Sequence, residues 1–583
     1  MSEVFISANN IHYSVDGTSI FKELDIHINA GEHIGLVGAN GTGKSTLLRI
    51  LAGKLPLDKG EVHYKKGLQI GFVEQFLPET LWDNKILDSI LEKMPPQERD
   101  YERYRAEMIL ESLGFSPKDL EQKTSTLSGG QATLVMLARA IIDQPDLLLL
   151  DEPTNYLDLT HLKNIESFLA SNQKTFVVIS HDKRFLNNLT TKTVFLRDGT
   201  GYTFNLPFSG AKEELDKRDE EALKRSQDEE KQIQRLTKSA KRIAEWGKIA
   251  DNEDMARKAK SMEKRIEKLQ QEKTVVSKGP KYSLRLDSTE TRSKIMINVE
   301  DHRIAIPETG TPLFKVDKFT CFRGDRVVLL GDNGVGKTTF IEYIFTQYAV
   351  QSESRTIYFG PNVKQGYYDQ NQNLLDPDLS ILESVTSKVG NPTQEVRQEL
   401  ISSGFKYDEF NKRISVLSGG EKARILFCIL KLQRPNVIIL DEPTNHIDLF
   451  GREELENQLA NSNATLLITS HDRSFIESIG TRFVLIKDGK LTEIHTLDEY
   501  YKSIDRQLES FRSRETNVNN EGIQNPVEPV DENEDNLLKQ IELLEKKLSD
   551  QQKQKPKFQN QKLIESLKAE LKACYETWEK FEV

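Results

Sequence analysis

In this chain of 583 residues, the eight from Gly38 to Ser45 (Gly-Ala-Asn-Gly-Thr-Gly-Lys-Ser) have the types and spacing to do chemistry. They fit G-x-x-x-x-G-K-[ST], a loop that wraps nucleotide phosphates. Its glycines let backbone N–H groups turn inward and reach anionic oxygens that a β-carbon would hold off. Lys44 brings a point charge to the β- and γ-phosphates, and the Ser45 hydroxyl can ligate Mg²⁺. The pattern returns from Gly331 to Thr338 (Gly-Asp-Asn-Gly-Val-Gly-Lys-Thr). Two nucleotide sites are therefore expected. One loop offers Gly38, Asn40, Gly41, Gly43, Lys44, Ser45 and Thr46; the other offers Gly331, Asn333, Gly334, Gly336, Lys337, Thr338 and Thr339.

Each loop is followed by the same series of polar groups. Gln75 and Gln370 end short β-like runs with an amide that can sense Mg²⁺ or water. Leu127-Ser128-Gly129-Gly130 and Leu417-Ser418-Gly419-Gly420 each open a helix, where a hydroxyl and free N–H groups suit a phosphate. Asp151-Glu152 and Asp441-Glu442 end apolar runs; the aspartates can hold Mg²⁺, and the glutamates can orient or deprotonate an attacking water. His181 and His471 end further β-like runs and read as γ-phosphate contacts. The expected chemistry is hydrolysis of a nucleotide phosphate. Its catalytic candidates are Glu152, Glu442, His181 and His471; its Mg²⁺ candidates are Ser45, Gln75, Asp151, Thr338, Gln370 and Asp441. Tyr13, 25 residues before the first loop, is placed either to stack on adenine or to pack in the core. Residues 295–306 offer no matching aromatic, only His302 nearby.

These groups need strand ends and helix starts to hold them. Ile34-Gly35-Leu36-Val37 reads as a buried strand before the first loop, and Thr46 to Leu51 as the helix after it; Val327 to Leu330 repeats the strand. Leu147 to Leu150 and Val437 to Leu440 read as parallel strands buried on both faces. Ser128 to Asp151 and Ser418 to Asp441 both span 23 residues; Asp151 to His181 and Asp441 to His471 both span 30. Matched spacings indicate one domain duplicated within the chain.

Composition narrows the class. The chain is 37% hydrophobic and 29% charged, with a net charge of −11, so nucleic-acid contact requires local basic patches. No apolar run approaches the roughly 18–20 residues that span a bilayer. Neither a basic n-region nor a secretory h-region follows Met1, and the expected location is the cytoplasm. Cys321, Cys428 and Cys574 fit no disulfide framework or metal knuckle and read as free thiols.

Phosphate loop, glutamine, Leu-Ser-Gly-Gly signature, acidic strand end and histidine, in that order, resemble the ATP-binding cassette. The resemblance covers about 400 residues in two halves. It implies an α/β fold of two P-loop cassettes, each with a doubly wound core, paired head to tail within a monomer. Lys44, Ser45, Gln75, Asp151, Glu152 and His181 would then face Ser418 and Gly420 across one ATP. Lys337, Thr338, Gln370, Asp441, Glu442 and His471 would face Ser128 and Gly130.

Between the halves, Ala211 to Lys273 lacks proline and carries apolar or small residues by threes and fours: Ile233, Leu236, Ala240, Ile243, Gly247 and Ala250, then Met255, Ala259, Met262, Ile266 and Leu269. Asp251-Asn252-Glu253 supplies a turn, so an antiparallel helical hairpin is expected. Residues 231–268 hold twelve Lys/Arg against six Asp/Glu. Such a face is either a solvated surface or a nucleic-acid contact. Trp246, Lys248, Arg257, Lys258 and Lys260 favour RNA, since an aromatic among cations can stack on bases and neutralise phosphate. Asn517 to Asn533 reads as a tether; Leu537 to Leu548 and Ile564 to Trp578 read as a second coiled-coil hairpin with lysines near its tip.

Tandem cassettes with such a linker resemble the ABC-F proteins, and the C-terminal hairpin resembles their Uup-like branch. The resemblance implies an ATPase using ATP and Mg²⁺, with the ribosome, ribosomal RNA and P-site tRNA as partners and translation regulation or antibiotic protection as its role. Only 52 residues separate Gln75 from Leu127, against 47 between Gln370 and Leu417, so a long inserted arm is not expected. The expected domains are cassette 1 (1–207), hairpin linker (208–280), cassette 2 (281–505), tether (506–535) and coiled coil (536–583). Two other readings stand beside this one: a DNA-binding, repair-associated ATPase using the C-terminal hairpin, and the ATP-binding subunit of a transporter.

Overall fold

The computed structural model describes residues 3–15, 17–74, 77–97, 99–155, 157–171, 174–249, 253–271, 292–307, 309–350, 356–390, 393–504 and 506. Residues 1–504 group into one unit, to which all that follows belongs. The tether, the C-terminal coiled coil and Cys574 lie outside the described residues, as do the linker turn at 250–252 and the boundary near residue 280.

The first half opens with β1 (Val4–Val15), β2 (Thr18–Asn29), β3 (His33–Gly38), α1 (Lys44–Leu51), β4 (Lys59–Tyr64) and β5 (Ile70–Val73). A helical lobe follows: α2 (Ile86–Leu91), α3 (Arg99–Ser112) and α4 (Gly129–Ile141). The chain then alternates through β6 (Leu147–Asp151), α5 (Leu159–Ser171), β7 (Thr175–Ile179), α6 (Lys183–Leu189), β8 (Lys192–Arg197) and β9 (Thr200–Phe204). The strands form an antiparallel sheet, β2-β1-β4, and a mainly parallel one, β5-β6-β7-β3-β8-β9.

The linker is α7 (Phe208–Ile249) and α8 (Glu253–Gln271). The second half repeats the order with β10 (Ile295–Ala305), β11 (Pro312–Phe322), β12 (Arg326–Leu330), α9 (Lys337–Ala349), β13 (Ile357–Phe359) and β14 (Gln365–Tyr368). Its lobe is α10 (Ile381–Lys388), α11 (Thr393–Ser402) and α12 (Gly419–Gln433). It closes with β15 (Val437–Asp441), α13 (Leu449–Asn461), β16 (Thr465–Thr469), α14 (Arg473–Ile479), β17 (Arg482–Lys487) and β18 (Lys490–Ile494). Here the parallel pairing of Lys315 with Lys490 joins both sheets into one of nine strands. The corresponding tie in the first half is the bond from the Lys22 amide to the Gly199 carbonyl, 2.8 Å.

The sheet order positions the chemistry. In both halves the acidic strand, the strand before the histidine and the strand before the phosphate loop are neighbours (β6-β7-β3 and β15-β16-β12). Being parallel, they deliver their C-terminal ends to one edge, where open α/β sheets bind ligands. Every residue of β6, β7, β15 and β16 is buried, as strands covered on both faces require. Cys321 and Cys428 are buried free thiols, each pushed up to about 12 by burial.

Forty-two residues make α7 about 63 Å long at 1.5 Å per residue. Phe208, Ala211 and Leu215 bury its first turns, with Phe208 against Phe195. Beyond them only the seam toward α8 is covered, where Ala240 and Ile266 are buried.

Replacing Leu149, fully buried in β6, by Ala should cost about 2–5 kcal/mol and lower the urea concentration of the first unfolding transition. Leu206→Ala, at a position 39% exposed, should leave that transition in place.

Candidate functional site

Each phosphate loop turns into its helix through a left-handed glycine, Gly43 (φ 91°) and Gly336 (φ 101°). A β-carbon on Gly43 would lie 2.5 Å from Ile20 and 2.8 Å from Phe21; one on Gly336 would lie 2.8 Å from Leu313. Space and backbone therefore both demand glycine. Lys44 Nζ lies over its loop and donates to the carbonyls of Gly38 (2.8 Å) and Ala39 (3.1 Å). Lys337 does the same to Gly331 (2.8 Å) and Asp332 (2.9 Å). Behind the lysines, Ser45 donates to Asp151 (3.0 Å) and Thr338 to Asp441 (3.3 Å). Each cassette thus pairs one hydroxyl with one buried carboxylate. This hard-oxygen set suits a Mg²⁺ ion held largely by substrate phosphates, and Asp441 Oδ2 is buried without a protein partner. Among the described residues no group of three His, Cys, Asp or Glu forms an all-protein metal cage. Gln370 faces this space, while Gln75 lies outside the described residues.

The glutamates that follow are held in the left-handed region, Glu152 at φ 53° and Glu442 at φ 47°. For a non-glycine residue that is strain, and it occurs at the same place twice. The Glu152 amide donates to the Ile179 carbonyl and the Glu442 amide to the Thr469 carbonyl, both at 3.1 Å, which fixes the turn.

Electrostatically the two glutamates differ. Burial acts to raise the Glu152 carboxyl, but the His181 ring at 3.0 Å, Lys44 and Asn155 outweigh it and hold it at about 2. Glu442 is pushed up to about 7 by burial, opposed by Lys337. His471 stands 3.5 Å from Glu442, and burial and Lys337 hold that imidazole down at about 3. Burial also lowers His181. Of the aspartates, burial raises Asp151 to about 6 and raises Asp441.

The signatures come from opposite halves. Ser128 and Ser418 cap α4 and α12 as capping boxes with Gln131 and Glu421, leaving the helix starts facing outward. Ser128 and Gly129 share a cavity of about 480 Å³ with Asn333, Gly334, Lys337 and Thr338. Glu442 and His471 lie on its far wall. Across the mirrored site, a β-carbon on Gly420 would stand 3.2 Å from the Asn40 amide nitrogen. The Asn40 backbone N–H donates to Asp448 (2.9 Å), and its side chain donates to the His446 carbonyl (3.3 Å).

The two base ends differ as well. Tyr13 is half-buried on β1 with its ring 6.5 Å from Phe21. In the second half Ile306 and Leu313 line the cavity, and His302 is stacked on Tyr343 at 4.2 Å. Ile306 precedes Gly331 by the same 25 residues that separate Tyr13 from Gly38, so an aliphatic side chain holds the position of Tyr13 in the second half. Its sequence signal was available: Ile20-Phe21 and Leu313-Phe314 precede Gly43 and Gly336 at equal distance. Trp246 is 62% exposed, and Arg257, Lys258 and Lys260 are exposed on α8; the Lys248 side chain lies outside the described residues. These linker groups stand apart from both nucleotide sites in sequence and join neither.

A family profile described as "ABC transporter" matches residues 21–155 and again 314–445. The ATP-binding protein Uup of Haemophilus influenzae is 32% identical over 533 residues, covering 83% of this chain and 79% of its own. ABC transporter F family member 5 of Arabidopsis thaliana is 30% identical, covering 87% of this chain and 78% of its own. A crystal structure of an archaeal ribosomal stalk protein with the archaeal ribosome recycling factor aABCE1 contains a similar fold. It matches at a TM-score of 0.58 and 18% identity, over 85% of this chain and 92% of that one.

Glu152→Gln with Glu442→Gln should abolish phosphate release while leaving ATP affinity within about threefold, because the amide keeps the size of the carboxylate but cannot accept a proton. Equilibrium binding of a fluorescent ATP analogue beside a phosphate-release assay separates the two; joint loss would remove the role from these residues.

Proposed function

Since the chain belongs to the ABC-F family of tandem-cassette ATPases, we propose that it works on the ribosome, using ATP binding to close its cassettes and hydrolysis to release them while the linker contacts RNA. The observation that carries this reading is the linker itself. A 42-residue helix is anchored at one end in the first cassette and projects a basic, Trp-bearing face at the other. Catalysis of ATP hydrolysis alone has no need of such an element. One structure of similar fold contains the archaeal ribosome recycling factor aABCE1. No helix among the described residues is long and apolar enough to cross a membrane, so a transporter role would need a separate subunit.

In the proposed reaction the chain's residues act as follows. Lys44 and Lys337 move from their loop carbonyls onto the β- and γ-phosphates. Ser45 with Asp151, and Thr338 with Asp441 and Gln370, would hold Mg²⁺, which when bound neutralises charge on the phosphates. Glu152 and Glu442 orient water against the γ-phosphorus and accept its proton as the bond to the departing ADP oxygen breaks. His181 and His471, kept uncharged by burial, position those carboxylates and meet the γ-phosphate. Ser128 and Ser418, with Gly130 and Gly420, complete each site from the other cassette. Tyr13 stacks on one adenine. The segments 1–207 and 281–505 are the working cassettes, with 208–280 as the RNA-facing hairpin in a cytoplasmic protein.

Changing Trp246, Arg257, Lys258 and Lys260 together to Ala should leave free ATPase unchanged, since none lies in a nucleotide site. It should weaken ribosome co-sedimentation by about 1–3 kcal/mol for each stacked base lost and remove ribosome-stimulated ATPase. Its binding should also depend less steeply on salt. Unchanged stimulation would reduce the hairpin to a spacer, and tight binding to branched DNA instead of ribosomes would favour the repair reading.

A further inference from the structure

Ion pairs cross the interface between the cassettes, and one set of them is reciprocal. Arg473 of the second cassette grips Glu166 of the first with two nitrogens and stands 3.5 Å from Asp182. Lys183, its counterpart in the first cassette, reaches Glu456, the counterpart of Glu166, at 3.2 Å. This reciprocity is what a pseudo-two-fold relation between duplicated halves requires.

Arg452 breaks it. It lies four residues after Asp448 on α13, where the first half has Leu162 four residues after Asp158. Both positions are buried, at 6% and 3% exposure. Leu162 only packs, whereas the Arg452 guanidinium bridges. Its Nε donates to the Ile447 carbonyl (3.1 Å), and its Nη1 donates both to Asp472 (2.8 Å) and, across the interface, to the His181 carbonyl (3.0 Å). Asp472 follows His471 and caps α14. One nitrogen atom therefore ties together the two histidine loops, each of which holds an imidazole against its own glutamate.

We propose that Arg452 is a positioning residue that couples the two ATP sites, so that the first histidine loop is set for hydrolysis only while the second cassette is seated against it. The bond to His181 breaks when the cassettes part and the bond to Asp472 does not, so the coupling is made in the closed arrangement. Leucine, the residue nature uses at the mirrored position, fits the volume but has no donor to bridge with. Coupling of this kind rests on Glu152 and Glu442 being the hydrolytic groups.

The test is a cycle of ATP turnover rates at saturating ATP. It compares Glu152→Gln and Glu442→Gln, each in the native background and with Arg452→Leu. With coupling intact, either single Gln variant should lose roughly fivefold or more in kcat, since one stalled site holds the other. With Arg452→Leu, each should lose only about twofold relative to Arg452→Leu itself, as independent sites would. Arg452→Lys, which keeps a cation able to meet both oxygens, should restore the larger loss. The effect should fall on kcat rather than on KM for ATP. Equal losses in the two backgrounds, or single Gln variants that keep half the native rate, would overturn the proposal. Should Arg452→Leu fail to fold, Arg452→Gln is read in the same cycle, and unchanged losses there overturn it equally. Persistent turnover in the Glu152→Gln, Glu442→Gln pair would instead reject the hydrolytic assignment, and the coupling that rests on it would fall with it.

Discussion

The Asn40 amide and the Asp448 carboxylate lie 2.9 Å apart across the cassette boundary, and much of the molecule follows from that contact. Each phosphate loop here faces the signature helix start of the other half and not that of its own. N–H donors on the far side of a bound nucleotide must therefore come from the other cassette. Duplication meets the need, because a second copy turned head to tail brings the missing helix start. Asp448 does two things at once: it caps its own helix α13 and fixes the height at which the first phosphate loop meets the second cassette.

Equal motifs do not produce equal sites. In the first, Glu152 is ionised and hydrogen-bonded to a histidine at 3.0 Å; in the second, the nearest histidine nitrogen is 3.5 Å away and burial dominates, so Glu442 holds its proton far more tightly. The surroundings decide this: His181, Lys44 and Asn155 together offset burial at Glu152, whereas burial prevails at Glu442. The base ends diverge too, with Tyr13 in one half and the aliphatic pair Ile306 and Leu313 in the other.

The linker answers a different constraint. Burying its first turns against Phe195 costs little additional structure and gives a lever fixed to the first cassette. Farther out, Ala240 on α7 and Ile266 on α8 are the buried apolar residues among the described ones. That is why a composition so poor in core-forming residues can still be helical: most of its stability comes from the apolar seam rather than from a core.

The α/β class, the duplication and the nucleotide chemistry were legible in the residues because each rests on local rules. A glycine loop, a capped helix start or an acidic strand end needs only a few neighbours in the chain to be recognised. The parallel strands were legible for the same reason, as unbroken apolar runs such as Leu147 to Leu150. What lay beyond the residues was contact between groups far apart in sequence. Asn40 meets Asp448 across 408 positions and Arg452 meets His181 across 271, and no periodicity connects them. The nearness of Ile306 to Lys337, both of which line the cavity, likewise exists only in the folded chain. Local chemistry names which groups can act; packing decides which of them share a site, because burial and distance, unlike residue type, exist only once the chain has folded.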